Sequence, residues 1–173
     1  YGNYICLSME MLAKLPQQLA VALFNRFSEQ FESMYHLDYF AAKFGLATLP
    51  GIICAIKRFP GEYIYIASTF GSTELAPIMA RAFHKLKTQK EEGRNWLLKY
   101  PQYAIHALIA PALGKKGEGH ECAAAALRLL NSQGYHNLII ETANKYQNPD
   151  ITTALEALLN ENELDLFPTK IPS

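Results

Sequence analysis

The sequence predicts an all-α fold, built as a HEAT- or armadillo-like irregular solenoid of antiparallel helix pairs. Two observations carry this prediction. Apolar residues repeat at helical spacing along most of the chain, and a cation followed closely by a proline recurs at Pro16, Pro60, Pro101 and Pro149. These prolines lie 44, 41 and 48 residues apart, close to the period of about 40 to 47 residues of two-helix repeats.

Each recurrence is interpreted as the same joint between two helices. A cation in the last turn of one helix, such as Lys57 or Lys99, complements the negative end of the helix dipole. A proline then stops that helix and begins the next one at its first position, where its missing N–H costs nothing. The joints therefore predict a chain of short helices that alternate in direction.

In the first half of the chain, three helices are predicted after the first joint. The helix after Pro16 carries one apolar stripe, made of Leu19, Ala20, Leu23, Phe24 and Phe27. Ser28 is the expected N-cap of a second helix that reaches Phe44, with Gly45 just past its end. A third helix over residues 49–59 places its isoleucines on one face.

Helix signals continue in the second half. Ser72 is expected to start a helix with its apolar stripe at Ile78, Met79, Ala82, Phe83 and Leu86. Residues 101–113 are apolar almost all round, which predicts a helix buried on both sides and ended or kinked by Pro111. Residues 120–133 form a helix that ends at Gly134, and Asn148 caps a last helix that begins at Pro149.

Two short segments are rich in β-forming residues, at 63–66 and 138–140. Periodicity does not separate a buried strand from a buried helix at that length. Helix is preferred because both segments fall where the repeat requires one. The alternative is an α/β fold with short strands at these two places.

Length and composition predict a single helical-repeat domain over residues 1–164 and an extended C-terminal tail over 165–173, which contains two prolines. Sixteen cations balance sixteen carboxylates, so no global field attracts nucleic acid or a membrane. Three widely spaced cysteines favour buried, reduced thiols and a cytoplasmic protein. The chain begins without methionine, and we expect it to be a segment of a longer protein.

Motifs that carry chemistry are few, so the chain is predicted not to be an enzyme and to need no cofactor and no metal. Residues 114–120 form a glycine-dense loop without the Gly-Lys-Ser/Thr ending of a phosphate-binding P-loop. His106, in an apolar run, is expected to be a core histidine. Trp96 and the tyrosines, at helical spacing, are likewise expected in the core.

The candidate contact residues for a partner or an anion are basic, and they are Arg81, Lys85, Arg94, Lys115 and Lys116. With Lys87 and Lys90 they would form one local basic patch if the fold brings them together. Such a patch would support a nucleic-acid-associated module despite the neutral total charge.

A resemblance rests on four stretches of the sequence, at residues 71–83, 95–101, 110–115 and 123–136, with Trp96 and Gly134 among their residues. They resemble the helical region of large bacterial proteins known as molybdate metabolism regulators, whose full-length chains often carry a WGR domain elsewhere. The resemblance covers roughly residues 45 to 170 and implies a cytoplasmic bacterial protein, a fragment of a longer chain and a regulatory role. It implies no molybdate site on any residue.

These observations together predict a non-catalytic scaffold. A solenoid exposes a long, shallow surface suited to an extended partner. The expected partner is another protein or another domain of the same full-length chain, without contact to a membrane. The alternative is the nucleic-acid-associated module.

Overall fold

The structure is a computed structural model that describes residues 8–31 and 33–161. The described residues form helices and turns, and they contain no strand beyond an isolated bridge residue at Phe31. The all-α prediction is therefore confirmed. Both ambiguous segments are helical: Tyr63 ends an α-helix, residues 64–66 open a 3₁₀-helix, and residues 138–140 lie within an α-helix. The predicted tail, 165–173, lies outside the described residues.

Contacts divide the chain into two compact units, residues 1–75 and 76–173, here called the N-terminal and C-terminal units. The described part of the N-terminal unit contains five α-helices, which are α1 (Met9–Leu12), α2 (Gln17–Phe27), α3 (Leu37–Phe44), α4 (Leu49–Arg58) and α5 (Pro60–Tyr63). Short 3₁₀-helices follow three of them, at Ser28–Gln30, Gly45–Thr48 and Ile64–Thr69. The unit is thus a series of short helices joined by tight turns.

Phenylalanines of α2 and α3, together with Ile52 of α4, form the core of the N-terminal unit. Phe24 of α2 packs against Phe40 of α3, with ring centroids 4.9 Å apart, and Phe40 contacts Phe44 at 4.7 Å. Phe24, Phe40 and Ile52 of α4 are completely buried. The predicted stripe on α2 is only partly correct, because Ala20 and Phe24 are buried whereas Leu19 is exposed.

The helix predicted from Ser28 to Phe44 is wrong in its first half. Ser28 ends α2 instead of capping a new helix, and its hydroxyl donates to the Asn25 carbonyl at 3.3 Å. The next helix, α3, begins at Leu37, after His36 has turned the backbone into the left-handed conformation with φ of 62°. Its end is as predicted, since α3 stops at Phe44 and Gly45 has a positive φ of 59°.

One helical run, Leu37–Arg58, is long and apolar enough by length and composition to cross a membrane, and half of its most apolar window is buried inside the protein. The left-handed Gly45 interrupts this run. It leaves α3 with 8 residues and α4 with 10, whereas a membrane-spanning helix needs about 20. The run therefore has the form of two core helices.

The described part of the C-terminal unit contains six α-helices, which are α6 (Ala76–Lys85), α7 (Lys90–Lys99), α8 (Pro101–Ala112), α9 (Glu118–Leu130), α10 (His136–Asn144) and α11 (Pro149–Asn160). Helix α9 is central, because α6, α8 and α11 all contact it. A kink within Asn131–Tyr135 joins α9 to α10, and Gly134 there has φ of 89° and leaves the helical conformation. The predicted helix stop at Gly134 is confirmed.

The joint residues behave as predicted at three of the four prolines. Pro60, Pro101 and Pro149 each occupy the first position of a helix, whereas Pro16 is the residue before α2. Asn148 caps α11 through its side-chain oxygen, which accepts from the Asp150 N–H at 3.0 Å. These three joints begin α5, α8 and α11.

Helix α8 differs from its prediction. Only one face is buried, made of Ala104, Ile105, Leu108, Ile109 and Ala112. Tyr103 and His106 are exposed, so the predictions of a helix buried on both sides and of a core histidine at 106 are wrong. The apolar residues on the outer face, such as Ala110, are small enough that their exposure costs little.

Candidate functional site

The predicted basic residues of α6 are paired with carboxylates of α9. Arg81 and Lys85 are one helical turn apart on α6, and Glu118 and Glu121 are three residues apart on α9. The Arg81 Nε and Glu118 Oε1 atoms are 2.6 Å apart, as are Lys85 Nζ and Glu121 Oε2. The two pairs tie the exposed edges of α6 and α9 together.

These pairs change how much positive charge α6 presents. The hydrogen bond from Lys85 holds the pKa of the Glu121 carboxyl below its usual value, and the same bond raises the pKa of the Lys85 ammonium. Both groups are therefore charged at neutral pH and largely cancel each other. Because both are exposed, the pair adds little to stability.

The other predicted basic residues lie apart from this pair of helices. Arg94 lies on α7, and its Nη1 is 3.7 Å from Glu91 one turn earlier. Lys115 and Lys116 are exposed in the turn between α8 and α9. The structure thus brings Arg81 and Lys85 together on one helix face, each beside its own carboxylate, and leaves Arg94 with a carboxylate of its own helix.

An apolar cleft lies beside the Arg81–Glu118 pair, between α6, α8 and α9. It has a volume of about 390 Å³ and is lined by Pro77, Ala80, Leu108, Pro111, Cys122 and Ala123, among others. Burial raises the pKa of the Cys122 thiol, so this sulfur stays protonated and weakly nucleophilic. The cleft can hold an apolar group, but it does not present an activated nucleophile.

The cysteines and histidines do not form a metal centre within residues 8–31 and 33–161, because no group of three metal-binding side chains comes together there. Cys122 is buried, in agreement with the prediction, whereas Cys54 is half-buried. Cys6 lies outside the described residues. The imidazole ring of His120 has one buried nitrogen, Nδ1, that has no hydrogen-bond partner among the described atoms.

Three tyrosines of the N-terminal unit have exposed side chains. Tyr35, Tyr39 and Tyr65 expose 74%, 51% and 52% of their surface, respectively. They come from the turn before α3, from α3 itself and from the 3₁₀-helix at Ile64–Thr69, which contacts α3. We call Tyr35, Tyr39 and Tyr65, together with Asp38, the tyrosine surface.

Electrostatic contacts link two members of the tyrosine surface, Tyr65 and Asp38, and link Tyr35 to the neighbouring Tyr63. The pKa of Tyr65 is raised chiefly by burial and also by the charge of Asp38. The pKa of the buried Tyr63 is likewise raised, first by burial and more weakly by Glu62 and Tyr35. The Tyr63 hydroxyl accepts a hydrogen bond from the Met34 N–H at 3.0 Å, which fixes the chain just before Tyr35.

Polar residues border this surface on the side of α1. An open cleft of about 590 Å³ is lined by Glu10, Lys14, His36, Tyr39 and Lys43. Lys43 donates to the Ala13 carbonyl at 2.6 Å, and the His36 ring lies 3.6 Å from Glu10. Aromatic faces bordered by mixed charges are typical of a protein-binding surface.

Sequence reasoning missed the tyrosine surface because it assigned the aromatics to the core. That prediction is right for Trp96, which is buried, and wrong for Tyr35, Tyr39 and Tyr65. A signal was present: Tyr35 and Tyr39 flank Asp38 and alternate with the buried Leu37 and Phe40. An aromatic such as Tyr39 on the polar side of an amphipathic helix, beside an aspartate, indicates an exposed position.

Fold and surface together define the chain as a small all-α segment with an exposed aromatic surface. It is 34% identical, over 165 residues, to the uncharacterized protein YehI of Escherichia coli K12. The match includes 95% of this chain but only 14% of the relative, so the chain spans about one seventh of that protein's length. No family profile matches the chain, and no solved structure matches it.

Proposed function

We propose that this chain is a non-catalytic, helical-repeat interaction segment within a larger bacterial regulatory protein. The observation that carries the proposal is the tyrosine surface, because three large aromatic side chains exposed on α3, on the turn before it and on the 3₁₀-helix that contacts it are favoured where a partner covers them. This chain matches only 14% of its relative, which supports the proposal that it is part of a longer protein. Its other domains would then be the natural partners.

The same proposal includes a HEAT- or armadillo-like arrangement of the helices. The proline joints recur near the HEAT and armadillo period, and short helices that pack in series suit an irregular solenoid. The resemblance to molybdate metabolism regulators supports a regulatory protein of the cytoplasm. We assign no molybdate contact and no catalytic step to any residue.

The partner proposed for the tyrosine surface is a protein segment that carries arginine or lysine. Exposed aromatic rings attract cations, and Asp38 adds a negative charge beside Tyr65. Tyrosine also gives large contact area at low entropic cost, since it has few rotatable bonds. The interaction would be a domain contact within the full-length chain or a contact to a separate protein.

Site-specific photo-crosslinking in the full-length protein tests this proposal. A photoreactive phenylalanine analogue replaces Tyr35, Tyr39 or Tyr65 in turn, and mass spectrometry identifies the linked peptide. Tyr146, also a partly exposed tyrosine but in the C-terminal unit, serves as the matched control. We expect the three positions to link to one shared basic peptide and Tyr146 not to. The proposal would be contradicted if the three positions linked to many different peptides, or to the same peptides as Tyr146.

A further inference from the structure

A second cleft of the C-terminal unit lies between α6, α7 and α9 and has a basic lining. Its volume is about 310 Å³, and its lining includes Phe83, His84, Lys90, Arg128 and Ser132. Among the described residues, no carboxylate belongs to this lining. We propose that the cleft binds a phosphate group, as inorganic phosphate or as the phosphate monoester of a small molecule.

Arg128 is the fixed cation of the cleft. Its Nε donates to the Leu158 carbonyl at 3.0 Å, and its Nη2 binds Glu161 Oε2 at 2.6 Å. A guanidinium has five N–H donors, so these two bonds leave donors that no described residue accepts from. The side chain is only 20% exposed, and a guanidinium fixed in a poorly hydrated place attracts an anion more strongly than a mobile one.

Lys90 supplies the second cation from the first residue of α7. Its Nζ lies 5.8 Å from the centre of the Phe83 ring, so the ring holds the ammonium at the wall of the cleft. A cation–π contact uses the ring face and leaves the ammonium hydrogens available to an acceptor. Ser132 adds a hydroxyl, which donates to the Leu129 carbonyl at 2.7 Å.

The carboxylates around the cleft do not cancel its charge. Glu161 forms an ion pair with Arg128 and so neutralises one positive charge. Glu121 interacts electrostatically with His84 but is paired with Lys85. Lys90, Arg128 and Lys85 thus outnumber these two carboxylates by one. A site with this surplus favours an anion, and fixed guanidinium and ammonium groups together suit phosphate.

The size of the cleft favours a small molecule over a nucleic-acid strand. Its volume is at the lower limit of the pockets of about 300 to 1,000 Å³ that hold small ligands. A strand would need further cations along a track, but Arg81, Lys85 and Arg94 are each beside a carboxylate. The cleft therefore offers one phosphate position rather than a series.

Calorimetric titration with sodium phosphate at constant ionic strength tests the site. The variant Lys90→Met keeps the aliphatic contact to Phe83 but removes the charge, and we expect it to weaken phosphate binding about tenfold. Lys99→Met is the matched control, because Lys99 ends the same helix and also lies over an aromatic ring, Tyr100, at 5.3 Å. Equal affinities in the two variants would overturn the proposal.

A second pair of variants does not remove any cation. Ser132→Asp places a carboxylate in the cleft, and Gln133→Glu adds the same charge at the next exposed position, outside the lining. We expect the first to abolish phosphate binding and the second to change it less than twofold. Parallel titrations use glycerol phosphate, acetate and a short single-stranded oligonucleotide. Binding of glycerol phosphate as well as inorganic phosphate supports a phosphate monoester as the ligand. The phosphate-site proposal is refuted if the cleft prefers acetate or the oligonucleotide, or if phosphate does not bind at tens of millimolar.

Discussion

At the scale of single residues, a few polar side chains stabilise helix ends and turns in ways that the sequence alone does not predict. Asn25 of α2 is the clearest example. Its Oδ1 accepts from the Gly51 N–H at 3.0 Å, and its Nδ2 donates to the Ala47 carbonyl at 2.8 Å. Gly51 lies in the first turn of α4, whose own N-cap residue, Thr48, makes no side-chain cap bond. Asn25 therefore caps α4 from a different helix.

We predict that Asn25→Ala lowers the free energy of unfolding by about 1 to 2 kcal/mol, because it leaves a helix N-terminus uncapped and a carbonyl without its donor. Asn25→Asp keeps the acceptor for Gly51 but loses the donor to Ala47, so its effect should be smaller. Chemical denaturation measures both. Asn95→Ala, at an exposed position of α7, is the control, and a loss in Asn25→Ala no larger than in that control would disprove the cap.

Residue-scale prediction from the sequence was limited by such tertiary contacts. Ser28 is a good N-cap residue by type, yet its hydroxyl bonds back to Asn25 and α2 simply ends. His36 adopts the left-handed conformation that glycine or asparagine would have signalled. Likewise, Arg81 and Lys85 were identified as exposed cations, but their carboxylate partners lie 37 and 36 residues further along the chain.

At the scale of whole elements, the proline joints were predictable because they depend on local chemistry. Pro101 and Pro149 begin helices since proline is preorganised for the first helical position. The burial of α8 was not predictable in the same way. Its sequence is apolar on nearly every side, and only the arrangement of α6, α9 and α10 around it decides which face is covered.

Close helix contact is another element-scale property. Helices α6 and α7 approach each other at Gly93, where an added Cβ would lie 2.5 Å from the Phe83 backbone nitrogen and 2.7 Å from the Met79 carbonyl oxygen. Backbone atoms of a helix do not move aside as a flexible side chain would. Gly93 therefore sets the distance between α6 and α7.

We predict that Gly93→Ala destabilises the protein by about 1 to 3 kcal/mol or more, because the methyl group forces two helices apart. Gly119→Ala is the matched control. Gly119 lies in α9, and an added Cβ meets nothing within 4 Å, so alanine should be neutral or stabilising by up to about 1 kcal/mol. Thermal unfolding of both variants gives the comparison. Similar midpoints for the two variants would show that α6 and α7 are not in close contact at Gly93.

At the scale of the whole molecule, each of the two compact units has its own core. Phe24, Phe40 and Ile52 are buried in the N-terminal unit, and Trp96, Leu127 and Leu155 in the C-terminal unit. The number of apolar residues in the sequence predicted a core, and their spacing predicted the all-α class. A single repeat domain over residues 1–164 stays a prediction, since repeat geometry depends on helix packing angles that composition does not encode.

The charge of the whole chain gives a last prediction, which separates the scaffold from the nucleic-acid alternative. Sixteen cations and sixteen carboxylates cancel, and three of the basic residues that the alternative requires, Arg81, Lys85 and Arg94, lie beside carboxylates. Each phosphate of a single strand that a protein neutralises adds about −0.7 to the slope of log affinity against log salt. We therefore expect weak heparin retention and a slope of about −0.7 for a single-stranded oligonucleotide, as one basic cleft with one phosphate position would give. Retention that requires high salt, with a slope of several units, would show a continuous basic track and favour the nucleic-acid-associated module over the scaffold.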